Sequence, residues 1–461
     1  MPDEFLKLLA ESQRTLDEGF AHLPPNPAPR LGMPAAKILQ KVATRLQNNY
    51  PYAHPLYAGQ MLKPPHPIAR AAYALAMSIN PNNHALDGGR ASSAMEIEAV
   101  AVLAKMFGLR QHLGHLTSGG TFANLEALWV AGQLGHTDDG TPMAIAASDQ
   151  AHYTHSRISG VLGLPFISVP SDQHGRMNLE ILEVLLKTGI IATVVVTLGT
   201  TAIGSVDPLD RIVALQKKYK FRIHVDAAYG GYFTLASNLS LETRAAFNAI
   251  AYADSIVIDP HKHGLQPYGC GCVLFRDTAV GRLYKHDSPY TYFSSKDLHL
   301  GEISLECSRA GASAVALWAT QQLLPHTVGG DFAKGLEACH TAALKFHQHL
   351  TNSSRFLTPT VPPQLDIVFW TVDGPTPEAS SAFAQRIFDE AARNDLHLAL
   401  AKLPICLFPQ DSWKNLSPTD PESTVTCLRS VLMKPEHLLW LDHLWQRLQA
   451  SADAVIGSIP R

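Results

Sequence analysis

His224-Val225-Asp226-Ala227-Ala228 and, further on, Asp259-Pro260-His261-Lys262 are the stretches on which the reading of this 461-residue chain turns. Each follows or closes a short apolar run, residues 221–225 in the first case and Ser255-Ile256-Val257-Ile258 in the second. Runs of that length and β-branched content read as buried strands. A lysine just past such a strand can be desolvated, which makes its amine a nucleophile toward an aldehyde. An aspartate at the end of a neighbouring strand can hold a heterocyclic nitrogen protonated and so turn the ring into an electron sink.

Working outward, residues 86–330 alternate short apolar strands with helical segments. The strands are expected at 143–147, 165–169, 192–198, 221–225, 255–258 and 270–275. Such alternation predicts a mainly parallel sheet covered on both faces, with ligands beyond the carboxyl ends of the strands. Residues 1–85 show helical spacing at 3–20, 34–47 and 67–80, broken by Leu23-Pro24-Pro25-Asn26-Pro27 and by further prolines. They form an arm without a core of its own, which is expected to bury its apolar faces on a second copy of the chain. Residues 331–461 combine helical runs (332–350, 379–394, 435–456) with a strand at 365–371, a smaller α+β domain.

Three more segments belong at the same rim. Thr117-Ser118-Gly119-Gly120-Thr121 opens a helical segment, and a glycine turn at a helix N-terminus is an anion site in the making. Asp149-Gln150-Ala151-His152 follows the 143–147 strand, so His152 can lie against a flat ring. Thr197-Leu198-Gly199-Thr200-Thr201 ends another strand, and Asp207-Pro208 follows it. A phosphate turn, a stacking imidazole, hydroxyls, a carboxylate for a ring nitrogen and a strand-end lysine together describe a pyridoxal phosphate site.

These motifs resemble the pyridoxal-phosphate-dependent group II amino acid decarboxylases, which act on glutamate, aspartate, tyrosine and other aromatic amino acids. The likeness is strong over residues 86–320 and weaker beyond. It implies an α/β, fold type I transferase architecture, with a mainly parallel mixed sheet in the large domain and a small C-terminal domain. It implies pyridoxal 5'-phosphate as cofactor, held covalently by Lys262, with Asp226 on the ring nitrogen and His152 stacked on the ring. Gly119, Gly120, Thr121, Thr201, His224 and His261 complete the implied cofactor set, with Asp207 supporting. Cys307-Ser308-Arg309 is similar to the segment after the family's mobile loop, whose tyrosine protonates the product; Tyr290 and Tyr292 fall there, and Tyr292 is taken as the donor. Leu428-Arg429-Ser430-Val431 resembles a strand whose arginine meets the substrate, so Arg429, with His54 and Tyr57 of the arm, forms the expected substrate set.

Composition narrows the partners. A net charge of −3 offers no basic surplus for nucleic acid or an anionic membrane. Six cysteines in a chain of this length make no disulfide framework, and Cys270-Gly271-Cys272 reads as two small buried hydrophobes rather than half of a metal site. No metal is expected. Met1-Pro2-Asp3-Glu4 has no basic stretch leading into an apolar core, and no eighteen consecutive residues are apolar, so a cytoplasmic protein is expected. The expected activity is release of carbon dioxide from an L-amino acid by a homodimer with its active site at the subunit interface. A carbon-carbon lyase or aldehyde synthase on the same scaffold, and a binding protein without catalysis, are the alternatives.

Overall fold

The structure is a computed structural model and describes residues 2–24, 32–285, 303–413 and 423–457. Its centre is a seven-stranded sheet of β1 (Leu113–Thr117), β2 (Ala144–Ser148), β3 (Phe166–Val169), β4 (Ile191–Thr197), β5 (Arg222–Asp226), β6 (Ser255–Ile258) and β7 (Gly271–Phe275). The strand order is β1-β7-β6-β5-β4-β2-β3. Strands β3, β2, β4, β5 and β6 run parallel, while β7 is antiparallel to both β6 and β1. In β4 all seven residues, Ile-Ala-Thr-Val-Val-Val-Thr, are buried. A continuous β-branched run of this kind suits only a central strand roofed by helices on both sides, because both of its faces must leave water.

The register explains why one edge collects the polar residues. Thr197 lies opposite Asp226, Asp226 opposite Val257, Ile258 opposite Cys272, and Thr117 opposite Gly271. The carboxyl ends of β1, β4, β5 and β6 therefore meet at one rim, where chains leaving a buried sheet must expose their first polar groups. The six strands expected from the sequence appear there within one or two residues. Strand β1 was not anticipated; it is short and interrupted by Gly114 and His115, and its pairing with β7 makes it a strand.

Helices α1 (Pro2–Glu18), α2 (Met33–Leu46), α3 (Pro67–Met77), α4 (Arg90–Met106), α5 (Gly120–Leu134) and α6 (Thr154–Leu162) precede or flank the sheet. Pro67 starts α3 with its ring pre-set for the first turn, and His66 Nδ1 accepts the Ile68 amide as its cap. A second, antiparallel sheet holds β8 (Phe356–Leu357), β9 (Ile367–Val372), β10 (Ala399–Pro404) and β11 (Thr424–Val431) in the order β10-β11-β9-β8. Helices Asp331–Thr351, Pro377–Arg393 and His437–Ile456 pack on it around the fully buried Trp370.

Parts of the first eighty-five residues pack within the chain itself. Leu56 and Ala58 sit in the core of the C-terminal unit, beside Leu398 and Leu428 of the same chain. Helix α3 packs on α1 and on the helix Gly311–Leu323. Helix α2 leaves an apolar side uncovered, with Ile38, Leu39 and Leu46 each about three-fifths exposed, and α1 likewise exposes Leu6 and Leu8.

Candidate active site

At the common rim lies a cavity of about 370 Å³ lined by residues from all five motifs expected to hold the cofactor: Gly119, Gly120 and Thr121, His152, Thr197 and Thr201, Asp226, and Asp259, His261 and Lys262. Asp226 is its deepest charge. The carboxylate is buried and accepts three hydrogen bonds: Oδ1 from the Ala228 amide at 3.1 Å, Oδ2 from His155 Nε2 at 2.8 Å and from Asn124 Nδ2 at 3.3 Å. Burial by itself would raise its pKa. The hydrogen bond and charge of His155, the Ala228 amide and His224 outweigh burial and hold the carboxyl well below the usual range, so Asp226 is ionised at neutral pH.

His224 stands one layer behind. It does not line the cavity, contrary to its place in the expected cofactor set; it is buried between Ser255 Oγ (2.9 Å from Nδ1) and Asn124 Oδ1 (2.8 Å from Nε2). Burial, then the neighbouring His155, pushes its pKa down to about 3, against the weaker opposite pull of Asp226. A neutral His224 with its proton on Nε2 fixes Asn124 so that the amide N–H₂ faces Asp226.

Lys262 places Nζ 3.1 Å from Asp259 Oδ2, and His261 Nε2 lies 3.5 Å from the same oxygen. Burial lowers the pKa of His261. His152 is half-buried, its Nδ1 accepts the Thr154 amide at 3.2 Å, and its ring lies 4.3 Å from that of Tyr153. Burial lowers its pKa too, with Lys262 and His155 adding to the effect and Asp226 and Asp259 opposing it, which leaves a neutral, flat imidazole on the cavity wall.

The glycine turn is built for close approach. Gly119 has φ 155° and ψ 173°, a conformation that essentially only glycine adopts. It caps α5 with no side-chain hydrogen bond, so the first-turn N–H groups stay available to a ligand. A Cβ on Gly120 would lie 2.7 and 3.0 Å from the two carboxylate oxygens of Asp259.

The expected substrate residues are elsewhere. Arg429 is buried and spends its guanidinium on backbone carbonyls: Nε on Ala202 (2.7 Å), Nη1 on Gly59 (3.2 Å) and Nη2 on Thr201 (2.6 Å). It clamps the Thr201 loop to the arm and does not line the cavity. Tyr57 is buried in an aromatic cluster with Tyr50, Tyr52 and His397, and the His54 ring lies 4.9 Å from Trp440. Neither faces the cavity within this chain. Asp207 is buried and accepts the Met177 (2.7 Å) and Thr197 (2.8 Å) amides, bracing the end of β4. Tyr290 and Tyr292 lie outside the described residues.

With this geometry in view, the pyridoxal-dependent decarboxylase conserved domain matches residues 21–372, well over half of the chain. The chain belongs to that family. This decarboxylase is 28% identical to the L-tyrosine decarboxylase of Enterococcus faecium over 411 residues, covering 68% of this chain and 67% of that one. It is 29% identical to a probable L-tyrosine/L-aspartate decarboxylase of Methanocella arvoryzae, covering 64% and 74% of the two chains. Its fold is that of the Oryza sativa TDC solved with PLP and tryptamine, with TM-score 0.78 at 16% identity over 98% and 96% of the two chains.

The cofactor of the family is pyridoxal phosphate, and three orphaned groups bear on whether it suits this cavity. Asp259 Oδ1, His261 Nδ1 and Thr197 Oγ1 all belong to lining residues, and all are buried without a hydrogen-bond partner. Buried polar atoms left so are costly unless a ligand satisfies them. Together with the uncapped turn and the ionised Asp226, they fit a ring nitrogen, ring substituents and a phosphate. Among the described residues no cluster of histidine, cysteine or acidic side chains could hold a metal.

Two residues that the sequence left unnamed complete the site. Asn124 sits four residues past Gly120, one helical turn along α5. His155 follows His152 by three residues, a spacing that brings two side chains to one side of a starting helix and was available as a signal.

Proposed function

We propose that this decarboxylase removes the α-carboxylate of an aromatic L-amino acid of the tyrosine type, and that it works as a homodimer in the cytoplasm. The observation that carries the reading is the convergence of Lys262 Nζ, the Asp226 carboxylate and the α5 glycine turn on one cavity. When bound, the cofactor supplies an electron sink for the charge left at Cα as carbon dioxide departs. The side chains account for the rest. Asp226, ionised and pinned by three donors, holds a proton on a ring nitrogen. His152, kept neutral by burial, offers a flat face without adding charge. Asp259 keeps the Lys262 amine at the cavity wall, and the open first turn of α5 receives a phosphate.

The preference for an aromatic substrate rests on what surrounds the opening. Phe122, Tyr153 and Tyr229 line it, and among the described lining residues no arginine is present to receive a side-chain carboxylate. Arg429 gives three of its five N–H donors to backbone carbonyls and does not line the cavity. Tyrosine stands in the names of both relatives, alone in one and beside aspartate in the other. Dimerisation is supported by the uncovered apolar side of α2, since soluble chains rarely leave such stripes to water. A reducing compartment is supported by six free cysteines.

The test is a panel of L-amino acids scored for carbon dioxide release with added cofactor. Tyrosine turning over at least tenfold faster than aspartate or glutamate supports the reading, and the reverse order refutes it. Assaying the same reactions for aldehyde and peroxide separates decarboxylation from the aldehyde-forming chemistry possible on the same scaffold.

A further inference from the structure

His155 makes the shortest polar contact to Asp226, 2.8 Å against 3.1 and 3.3 Å for the other two donors. It stands at the start of α6, fully buried, and does not touch the cavity. Its second nitrogen, Nδ1, is buried without a partner. Here one nitrogen goes unsatisfied while the other is aimed at the carboxylate, so Nε2 carries the hydrogen that the pair shares.

The remaining contacts show what this achieves. Oδ2 takes His155 from one side and Asn124 from the other, and Asn124 is itself held by His224, which Ser255 holds in turn. Oδ1 takes the Ala228 amide. Of about four lone-pair positions on a carboxylate, three are filled and the last belongs to Oδ1. The titratable groups around this arrangement are His224, whose ring lies 6.2 Å from that of His155, and His152, Lys262 and Asp259 on the cavity wall.

We propose that His155 is a positioning residue: by locking Oδ2 it turns the free lone pair of Oδ1 toward the cavity and so keeps the cofactor's ring nitrogen protonated. This rests on Asp226 being the partner of that nitrogen. A charge-assisted hydrogen bond in a buried site amounts to about a ten- to hundredfold change in an equilibrium.

The experiment uses the full chain loaded with pyridoxal phosphate labelled with ¹⁵N in the ring. Its readouts are the ring-nitrogen chemical shift and the cofactor dissociation constant from protein fluorescence. His155→Phe removes the donor and keeps a buried ring; His155→Gln keeps an N–H. The expected result is a resonance moved toward the unprotonated position and cofactor binding weakened about tenfold or more in His155→Phe, with His155→Gln restoring most of both. If His155→Phe does not fold, the same contrast is read between His155→Leu and His155→Gln. Native shift and affinity in the apolar variant overturn the proposal. Asp226→Asn serves as the separate check: a native shift there removes the premise about Asp226, whereas a changed shift in Asp226→Asn beside a native one in the apolar variant removes only the role of His155.

Discussion

Replacing Gly120 by alanine puts a methyl group where a hydrogen stood, and the structure states what that methyl meets. The new Cβ would lie 2.7 Å from Asp259 Oδ2, 3.0 Å from Oδ1 and 3.1 Å from Cγ, where ordinary contact begins at 3.4 Å. Either the first turn of α5 retreats by roughly 0.7 Å or the carboxylate swings away from Lys262 Nζ, to which it is bonded at 3.1 Å. Overpacking of a rigid site costs about 1–3 kcal/mol. Both escapes also disturb the N–H groups and the amine that face the cofactor, so cofactor affinity falls about tenfold or more as well. Urea unfolding of the cofactor-free chain measures the first effect and fluorescence titration with pyridoxal phosphate the second. The decisive comparison is a cycle with Asp259→Ala, which removes all three clashing atoms. In that background the added methyl is expected to lose most of its cost, leaving a coupling of about 1–3 kcal/mol. Equal losses in both backgrounds would mean that the methyl collides with something else, and the close packing argued for this turn would be wrong.

Three further outcomes follow from the geometry. Lys262→Ala is expected to abolish carbon dioxide release and the visible absorption of the loaded protein near roughly 420 nm; borohydride treatment should then add cofactor mass to the native chain and none to the variant, and mass retained by the variant would assign the attachment elsewhere. Arg429→Ala leaves the carbonyls of Gly59, Thr201 and Ala202 without their buried donor, so the urea midpoint should drop by the equivalent of about 3 kcal/mol; native stability with only a raised KM would restore the arginine to substrate binding. His224 carries a pH dependence whose sign is set by its lowered pKa: the unfolded chain takes up this proton near the ordinary value of 6.5, the folded chain only near 3. Its contribution is thus complete above pH 6.5 and is lost as pH falls toward 3, at about 1.4 kcal/mol for each unit of separation. Denaturation of His224→Gln beside the native chain should show a shallower acid slope in the variant, and parallel curves would show that His224 titrates normally.

The rim of the sheet was legible because its signals are local. Apolar runs ending in Asp226 and in Asp259-Pro260-His261-Lys262 state both the strand and the polar group that leaves it, and Gly119-Gly120 states a turn at a helix start. Groups acting at second hand left weaker marks. His224 stands two residues before Asp226 on β5 and shares its face of the sheet, so it was placed beside the cofactor, but it lies one step deeper along the strand and its partner Asn124 comes from a helix far away in sequence. Arg429 shows the same limit. Its place on β11 could be anticipated, whereas the three carbonyls that absorb its donors belong to loops at residues 59 and 201–202, which only the folded chain brings together.

The strand-like segment near residue 57 has a consequence for how the protein is made. Ala58 donates its amide to His397 O at 2.9 Å and its carbonyl accepts the Val431 amide at 2.7 Å, and Tyr57 bridges to His397. Residues that leave the ribosome among the first hundred therefore wait for partners among the last seventy. At about 5–20 residues per second the gap between residues 58 and 431 corresponds to roughly 20–75 s of synthesis, during which Leu56 and Ala58 lack the core they later join. Closure of this seam is a late event of biogenesis, and the clamp of Arg429 on the Thr201 loop comes with it. Nascent chains stalled before residue 431 should hold a formed central sheet beside an unfinished pocket wall, exposed to chaperones and proteases for as long as translation lasts.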